Sequence, residues 1–508
     1  MKKTLLALLI VAAAAMPFAF AQVDAIVSIK PFYTGSNIPA SGFQKDNSWS
    51  NASGDAFWND LHNSWWMKRQ DYWMLAYEKT SFMDLGLEVK TRNFNLVTRL
   101  DLMQDVLVNL MDYSSLSTNL PFVGNLIDLT LPRVGFADYT TSDGSFFVSA
   151  GRRLIKWGPG TYDLAVGDSQ PYLDNIWAEY ETAIGGSWDF SYNFIAVFPK
   201  LWMTYGSPSP VVSQKAFFGH KWSFSSDYLR ISIGELNNVY DKNPTFFDAS
   251  PFVIWHDNNQ DDYSNVFLHL ALEGKIGPVR AFGTFAMDDF DLPHETGSDK
   301  PMAIGFSAGI EYHVLDGKAI EDFAFDRRDY TIKEDTFRID NGLNVGFEFY
   351  HTSPLLYNRK STSGKFTVPF QFISLAGDRY NYYEDAYFLG FKYGPDAELF
   401  RLYGEYTDYP FEASLAAELL RRGQYGIESK YGDRSAIDSH MPSLIALAGD
   451  VNTALLIDAG FAYYFQPSFK VQAGFGWQQD FTNNKGAYSV SIGVCLDPVA
   501  TDWKNLFR

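Results

Sequence analysis

The side chains best placed to do chemistry lie in residues 152–160, RRLIKWGPG. Arg152, Arg153 and Lys156 put three cations into five residues, and Trp157 follows them directly. Cations so crowded need carboxylates or a ligand as partners, and a guanidinium binds a carboxylate through paired hydrogen bonds. Gly158-Pro159-Gly160 then forces a turn, because proline fixes φ and glycine admits positive φ. Such a stretch offers capture, not bond cleavage. The rest of the chain supplies no catalytic alternative. Its eight histidines are isolated, its one cysteine is Cys495, and no His-x-Glu or Cys-x-x-Cys grouping occurs, so no metal or cofactor is expected. Asp261-Asp262 and Asp288-Asp289 pair the residue type that general acid–base work uses. Neighbours on a strand point to opposite faces, so neither pair forms a dyad by itself.

A strand must deliver the cationic cluster. Phe146, Val148 and Ala150 alternate with Phe147, Ser149 and Gly151, the period of two of a half-buried strand, which puts Arg152 and Lys156 on one face and Arg153 on the other. Longer alternations follow. Trp188, Phe190, Tyr192, Phe194, Ala196 and Phe198 oppose Asp189, Ser191 and Asn193, with the face changing to Ile195 and Val197 near the end. Val266, Leu268, Leu270 and Leu272 oppose His269 and Glu273; Ile304, Phe306, Ala308, Ile310 and Tyr312 oppose Ser307, Glu311 and His313; Leu343, Val345, Phe347 and Phe349 oppose Asn344 and Glu348. The same pattern fills 455–465, 469–478 and 488–496. One face wants hydrocarbon and the other accepts water. With 43 Phe, 30 Tyr and 13 Trp the chain is 17% aromatic, which suits a membrane barrel whose Trp and Tyr lie at the interfaces while Phe covers the lipid band. A soluble sandwich is the rival, but its core would favour Val, Leu and Ile. Segments near the length of a tilted bilayer crossing also oppose it.

Met1-Lys2-Lys3, an apolar run to Phe20 and the small-x-small Ala19-Phe20-Ala21 predict a signal peptide over 1–21, leaving 22–508 as a single barrel domain. The net charge of −19 argues against nucleic acid as a partner. Further strands at 23–33, 72–79, 82–91 and 94–103, with less regular ones near 214–224, 227–236, 278–287, 367–374, 385–393 and 398–408, predict an all-β, antiparallel up-and-down transmembrane barrel of about sixteen to eighteen strands. Residues 34–66 and 105–133 read as loops that partly fill the lumen. Residues 410–422, PFEASLAAELLRR, carry helix formers between a proline and Gly423 and predict a short loop helix.

Gly151-Arg152 leading into Lys156-Trp157-Gly158-Pro159-Gly160, then Leu164, Asp168 and Pro171, resembles the signature of the Wzi-type capsule assembly family of outer-membrane β-barrels. The order Gly167-Asp168-Ser169-Gln170 departs from the second half of that signature. FAMDDF at 285–290 is similar to a family strand ending in paired aspartates, and 251–265 to its histidine- and asparagine-bearing loop. The resemblance implies eighteen strands and a non-enzymatic, lectin-like role in attaching or organising surface polysaccharide. The partners expected with it are outer-membrane lipids, surface polysaccharide and the outer-membrane assembly machinery, with a monomer as the oligomeric state. For a sugar polymer the candidate contacts are Trp157, Trp255, His256 and Asn258, with Asp168 from the signature. The other use of Arg152, Arg153 and Lys156 is an internal network with Glu235, Asp288 or Asp289, and an outward-facing arginine at the bilayer midplane would cost about 2–4 kcal/mol. Trp157 as an interface-girdle residue is an equal alternative. Two other functions compete: a passive porin or solute channel, and an adhesin or structural barrel acting through its loops.

Overall fold

The computed structural model describes residues 21–36, 81–102, 116–118, 134–167, 173–199, 215–255, 263–288, 303–314, 342–359, 363–373, 381–426, 429, 445–499 and 501. The strands in chain order are β1 (Gln22–Ile29), β2 (Phe32–Ser36), β3 (Met83–Lys90), β4 (Phe94–Leu102), β5 (Leu116–Thr118), β6 (Val134–Thr140), β7 (Phe146–Arg153), β8 (Leu173–Gly185), β9 (Trp188–Phe198), β10 (Lys215–Ser225) and β11 (Leu229–Tyr240). They continue as β12 (Ser264–Ile276), β13 (Val279–Asp288), β14 (Ala303–His313), β15 (Gly342–Thr352), β16 (Thr367–Ile373), β17 (Asn381–Phe388), β18 (Ala397–Asp408), β19 (Phe411–Arg422), β20 (Asn452–Gln466), β21 (Phe469–Asp480) and β22 (Lys485–Leu496).

Each wall strand pairs antiparallel with the next, and β22 pairs back to β1, so the sheet closes as an 18-strand barrel with no free edge. Pro31 lacks an amide hydrogen and splits the first wall strand into β1 and β2, which share one register against β22. β5 pairs with β2 beyond the point where β3 begins. Short turns such as 186–187, 226–228, 277–278, 409–410 and 467–468 join strands at one end, which also holds Gln22 and Leu496. At the other end the connections include the long 154–172, 241–263 and 353–396, beside the short 481–484.

The alternation predicts the two faces of the wall. Outward positions expose Leu272 (53%), Leu402 (61%), Leu415 (56%) and Ile492 (65%), whereas their strand neighbours Glu273, Arg401 and Ser491 turn inward. On β9 the expected change of face does not happen. Ile195 and Val197 stay on the inner face and are fully buried there, because the lumen behind them is packed with protein instead of water.

Three expectations are corrected. Residues 411–422 are not a helix but the wall strand β19, paired over its whole length with β18 and β20. Phe411, Ala413, Leu415 and Leu419 face out while Glu412, Glu418 and Arg422 face in, and pairing on both edges overrides the helix propensity of Ala, Leu and Glu. Segments 367–374 and 385–393 are not wall strands either; they fall in the separate hairpin β16–β17 and the loop after it. β6, β8 and β19 are wall strands that the alternation did not predict. The signal peptide, the strand expected at 72–79 and most of 34–66 and 105–133 lie outside the described residues.

Candidate functional site

At the end of β7 the two arginines part as a period of two requires. Arg152 faces outward and grips Asp174, its cross-strand neighbour on β8, with Nε and Nη2 donating at 2.7 and 3.0 Å. Arg153 faces inward and is buried; its Nη1 donates to Asp138 Oδ1 of β6 and to Ser149 Oγ, each at 3.0 Å. Its guanidinium lies over the Phe136 ring at 4.3 Å and 5.2 Å from the Trp177 ring. Both cations are therefore tied into the wall by aspartates that the sequence pattern did not single out.

The chain beyond them turns into the barrel, and residues 154–167 cross the lumen. Trp157 is 2% exposed; its indole N–H donates to Asn193 Oδ1 of β9 at 3.1 Å, and its carbonyl accepts from Lys221 Nζ of β10 at 2.8 Å. Lys156 closes the turn by donating to the Gly160 carbonyl at 2.6 Å. The glycines of the turn are required by what presses on them. A Cβ on Gly158 would lie 1.9 Å from Asp163 Oδ2, and one on Gly160 would lie 2.5 Å from the Tyr350 hydroxyl. Asp163 is the anchor at the centre. Its Oδ1 accepts from the amides of Ala165 and Val166, each at 2.8 Å, and its Oδ2 lies 3.2 Å from His269 Nε2 of β12. Burial alone would raise this carboxyl, but His269 and the two amides outweigh it and hold it below the usual carboxylate range.

On the far side of the lumen the same loop meets β15, β18 and β19. Thr161 N and Oγ1 donate to Glu348 Oε1 at 3.0 and 3.1 Å, Tyr162 Oη donates to Glu418 Oε1 at 2.6 Å, and Arg401 Nη1 reaches Glu418 Oε1 at 2.8 Å. The connection from β15 to β18 seals the packing. Tyr357 Oη donates to the Leu164 carbonyl at 2.5 Å and Gly167 N to the Leu389 carbonyl at 2.8 Å. A single apolar core results, running from Phe147 on β7 through Trp157, Leu164, Tyr357 and Phe391 to Leu456 on β20. Towards the short-turn end the lumen is wet, since the inward-facing Glu405 and Asp458 are exposed.

The predicted site residues thus scatter. Arg152, Arg153, Lys156 and Trp157 belong to the wall and the plug. Asp288 faces inward at the end of β13 and is fully buried. Glu235 and Trp255 are together but on the outside of the barrel, where Trp255 N donates to Glu235 Oε2 at 2.9 Å and Trp255 is fully buried, with no ring face free for a sugar. Asp168, His256, Asn258 and Asp289 lie outside the described residues. The plug contacts Asn193, Lys221, His269, Glu348, Arg401 and Glu418 were not predicted as site residues. The signal that could have found them is their position on the polar face of alternating strands.

No family model and no curated protein matches the chain. Among solved structures, the chain is similar to Wzi, an outer-membrane protein involved in group 1 capsule assembly in Escherichia coli and described as a carbohydrate-binding β-barrel, with 14% identity over 97% of this chain and 87% of that one and a TM-score of 0.49. It is similar as well to OpdQ of Pseudomonas aeruginosa (10% identity, 95% and 98% covered, TM-score 0.42) and to OmpT, an outer-membrane protein of Vibrio cholerae (10%, 94% and 98%, TM-score 0.31). At these identities and scores the likenesses carry no functional inference.

Proposed function

We propose that this chain is a closed outer-membrane barrel that acts at the cell surface, attaching or organising polysaccharide, and that it neither passes solutes freely nor catalyses a reaction. The observation that carries the reading is the crossing of the lumen by residues 154–167, which bond to β9, β10, β12, β15 and β19 around the barrel. A loop held to that many strands by buried polar contacts is a built stopper, and its cost would be pointless in a passive channel. The polysaccharide part of the reading is supported by the resemblance of Gly151-Arg152 and Lys156 to Gly160 to the capsule assembly signature. In this chain that signature builds the plug, so sugar contact falls to the long-loop end above it.

Two measurements test the proposal. Reconstituted in a planar bilayer, the purified protein should give no large stable conductance, and a variant lacking residues 158–166 should conduct. Loss of the gene should strip or loosen surface glycan. Unchanged glycan together with altered uptake of small solutes would overturn the proposal in favour of a channel.

A further inference from the structure

The connection from β11 to β12 goes the opposite way from residues 154–167. Among the outward positions of β10 and β11 are His220, Glu235 and Asn237, all buried, a polar patch flanked by the apolar outward positions Phe224, Ile231 and Ile233. Residues 248–255 cover it, laid along the outside of the barrel. Trp255 packs with Ala196, Ala216, Phe218 and Val239, and Val253 joins that cluster. Trp255 also stacks flat on His220, centroids 4.3 Å apart and planes at 5°, while Glu235 Oε2 lies 3.4 Å from His220 Nε2. Tyr192 of β9 donates to the Pro251 carbonyl, and its ring stacks with Phe252 at 6.4 Å and 15°. The side chains alternating with Val253 and Trp255 are exposed: Phe252 is 86% and Ile254 51% exposed, and Phe246, before the descent, is 89% exposed.

Depth decides what those rings meet. Tyr192 is four residues along β9 from Trp188 at the short-turn rim; at about 3.3 Å per residue and about 40° of tilt, that is about 10 Å of height within an apolar band about 25 Å tall. Phe252 therefore lies level with the lipid-facing part of the wall, continuous with Phe224, Ile231, Ile233, Leu270 and Leu272. Irregular backbone is tolerated at such depth only when its polar groups are satisfied within the protein. Here Ala249 N donates to the Thr245 carbonyl, Ser250 N to the Phe247 carbonyl, Thr245 N to Asp248 Oδ2 and Trp255 N to Glu235. We propose that residues 246–254 form a second, membrane-embedded layer on the barrel exterior, whose Phe246, Phe252 and Ile254 contact the acyl chains of the surrounding bilayer. The proposal rests on the wall being a membrane wall, and the experiment separates the two.

In full-length protein carrying Cys495→Ala, a nitroxide is attached at Phe252→Cys, with Ile254→Cys as a second probe, Leu272→Cys as the wall reference and Asp450→Cys as the water reference, all in phospholipid vesicles. Folding is checked by heat-modifiable gel migration. The expected result is collision with oxygen several-fold above collision with a water-soluble nickel complex at positions 252 and 254, as at 272. Nickel access at 252 and 254 matching position 450, with 272 still oxygen-dominated, overturns the layer alone. Nickel access at 272 as well overturns the membrane wall. Low access to both reagents with spin–spin broadening at 252 also overturns the proposal, because a second copy of the chain then covers the layer.

Discussion

Residues 154–167 and 241–255 leave the same end of the barrel and build the same trio on opposite sides of its wall. Inside, Trp157 leans on His269, ring centroids 6.2 Å apart, and His269 faces Asp163. Outside, Trp255 lies flat on His220, and His220 faces Glu235. The difference is in how the polar atoms are satisfied. Asp163 gathers two amides and a histidine, and the Trp157 indole finds Asn193. Inside, His269 Nδ1 has no hydrogen-bond partner among the described residues; outside, neither ring nitrogen of His220 and neither side-chain amide atom of Asn237 has one. The inner trio is a polar clamp that fixes a stopper; the outer trio is a polar flaw in the outward-facing wall, covered by stacking, apolar contact and the hydrogen bond from Trp255 N to Glu235.

The tryptophans should separate the two regions most widely. Trp157→Ala and Trp255→Ala each remove a buried indole and should each lower stability by about 3–5 kcal/mol, measured by the urea midpoint of the reconstituted barrel. Only Trp157→Ala should also raise bilayer conductance. Conductance through Trp255→Ala would break the comparison by placing 241–255 on the permeation path. A smaller effect sharpens it. His220→Leu or Glu235→Leu alone should cost about 1–3 kcal/mol, because the partner stays buried without its counterpart, whereas the double replacement should recover part of that loss, with Trp255 N alone left without its acceptor. The inner pair should recover less, since Asp163→Leu with His269→Leu leaves two amides, those of Ala165 and Val166, without their acceptor. Recovery inside and none outside would reverse the assignment of clamp and cover.

How legible these regions were follows from which side of the wall a residue faces. Strands such as β12 and β14 declare both faces, since Leu270 or Ile310 looks outward while His269 or Glu311 looks inward. β6 and β8 hide, because their inner faces carry Phe136 and Trp177 to cover Arg153, and an apolar inner face erases the contrast with the outer one. β19 misleads because Ala, Leu and Glu speak for a helix until two neighbouring strands claim their backbone. The cationic stretch was visible as a feature, but its destination was not. Trp157 is fixed by Asn193, Lys221 and His269, residues brought together only when β9, β10 and β12 are in place. For Trp255 no local sign existed: Phe252, Val253, Ile254 and Trp255 are all apolar, and only the structure divides them into exposed and covered side chains.

The mildest change asks whether the inner clamp works through charge. Asp163→Asn keeps an oxygen that can accept the amides of Ala165 and Val166 but gives up the negative charge, so at neutral pH it should cost about 1 kcal/mol, the difference between a charged and a neutral set of hydrogen bonds. Acid then tells the two proteins apart. The folded carboxyl is held below its ordinary value, so its contribution is complete above an unfolded pKa of about 3.9 and is lost as pH falls from there through the lower folded value. Wild type minus Asp163→Asn, taken from urea midpoints in neutral and acidic buffers, should therefore be flat near neutrality and shrink below about pH 4. Other carboxylates titrate in the same range, but they are common to both proteins and cancel. A difference that instead grows in acid would mean that the buried carboxyl is protonated in the folded barrel and that the stopper is held by its apolar core alone.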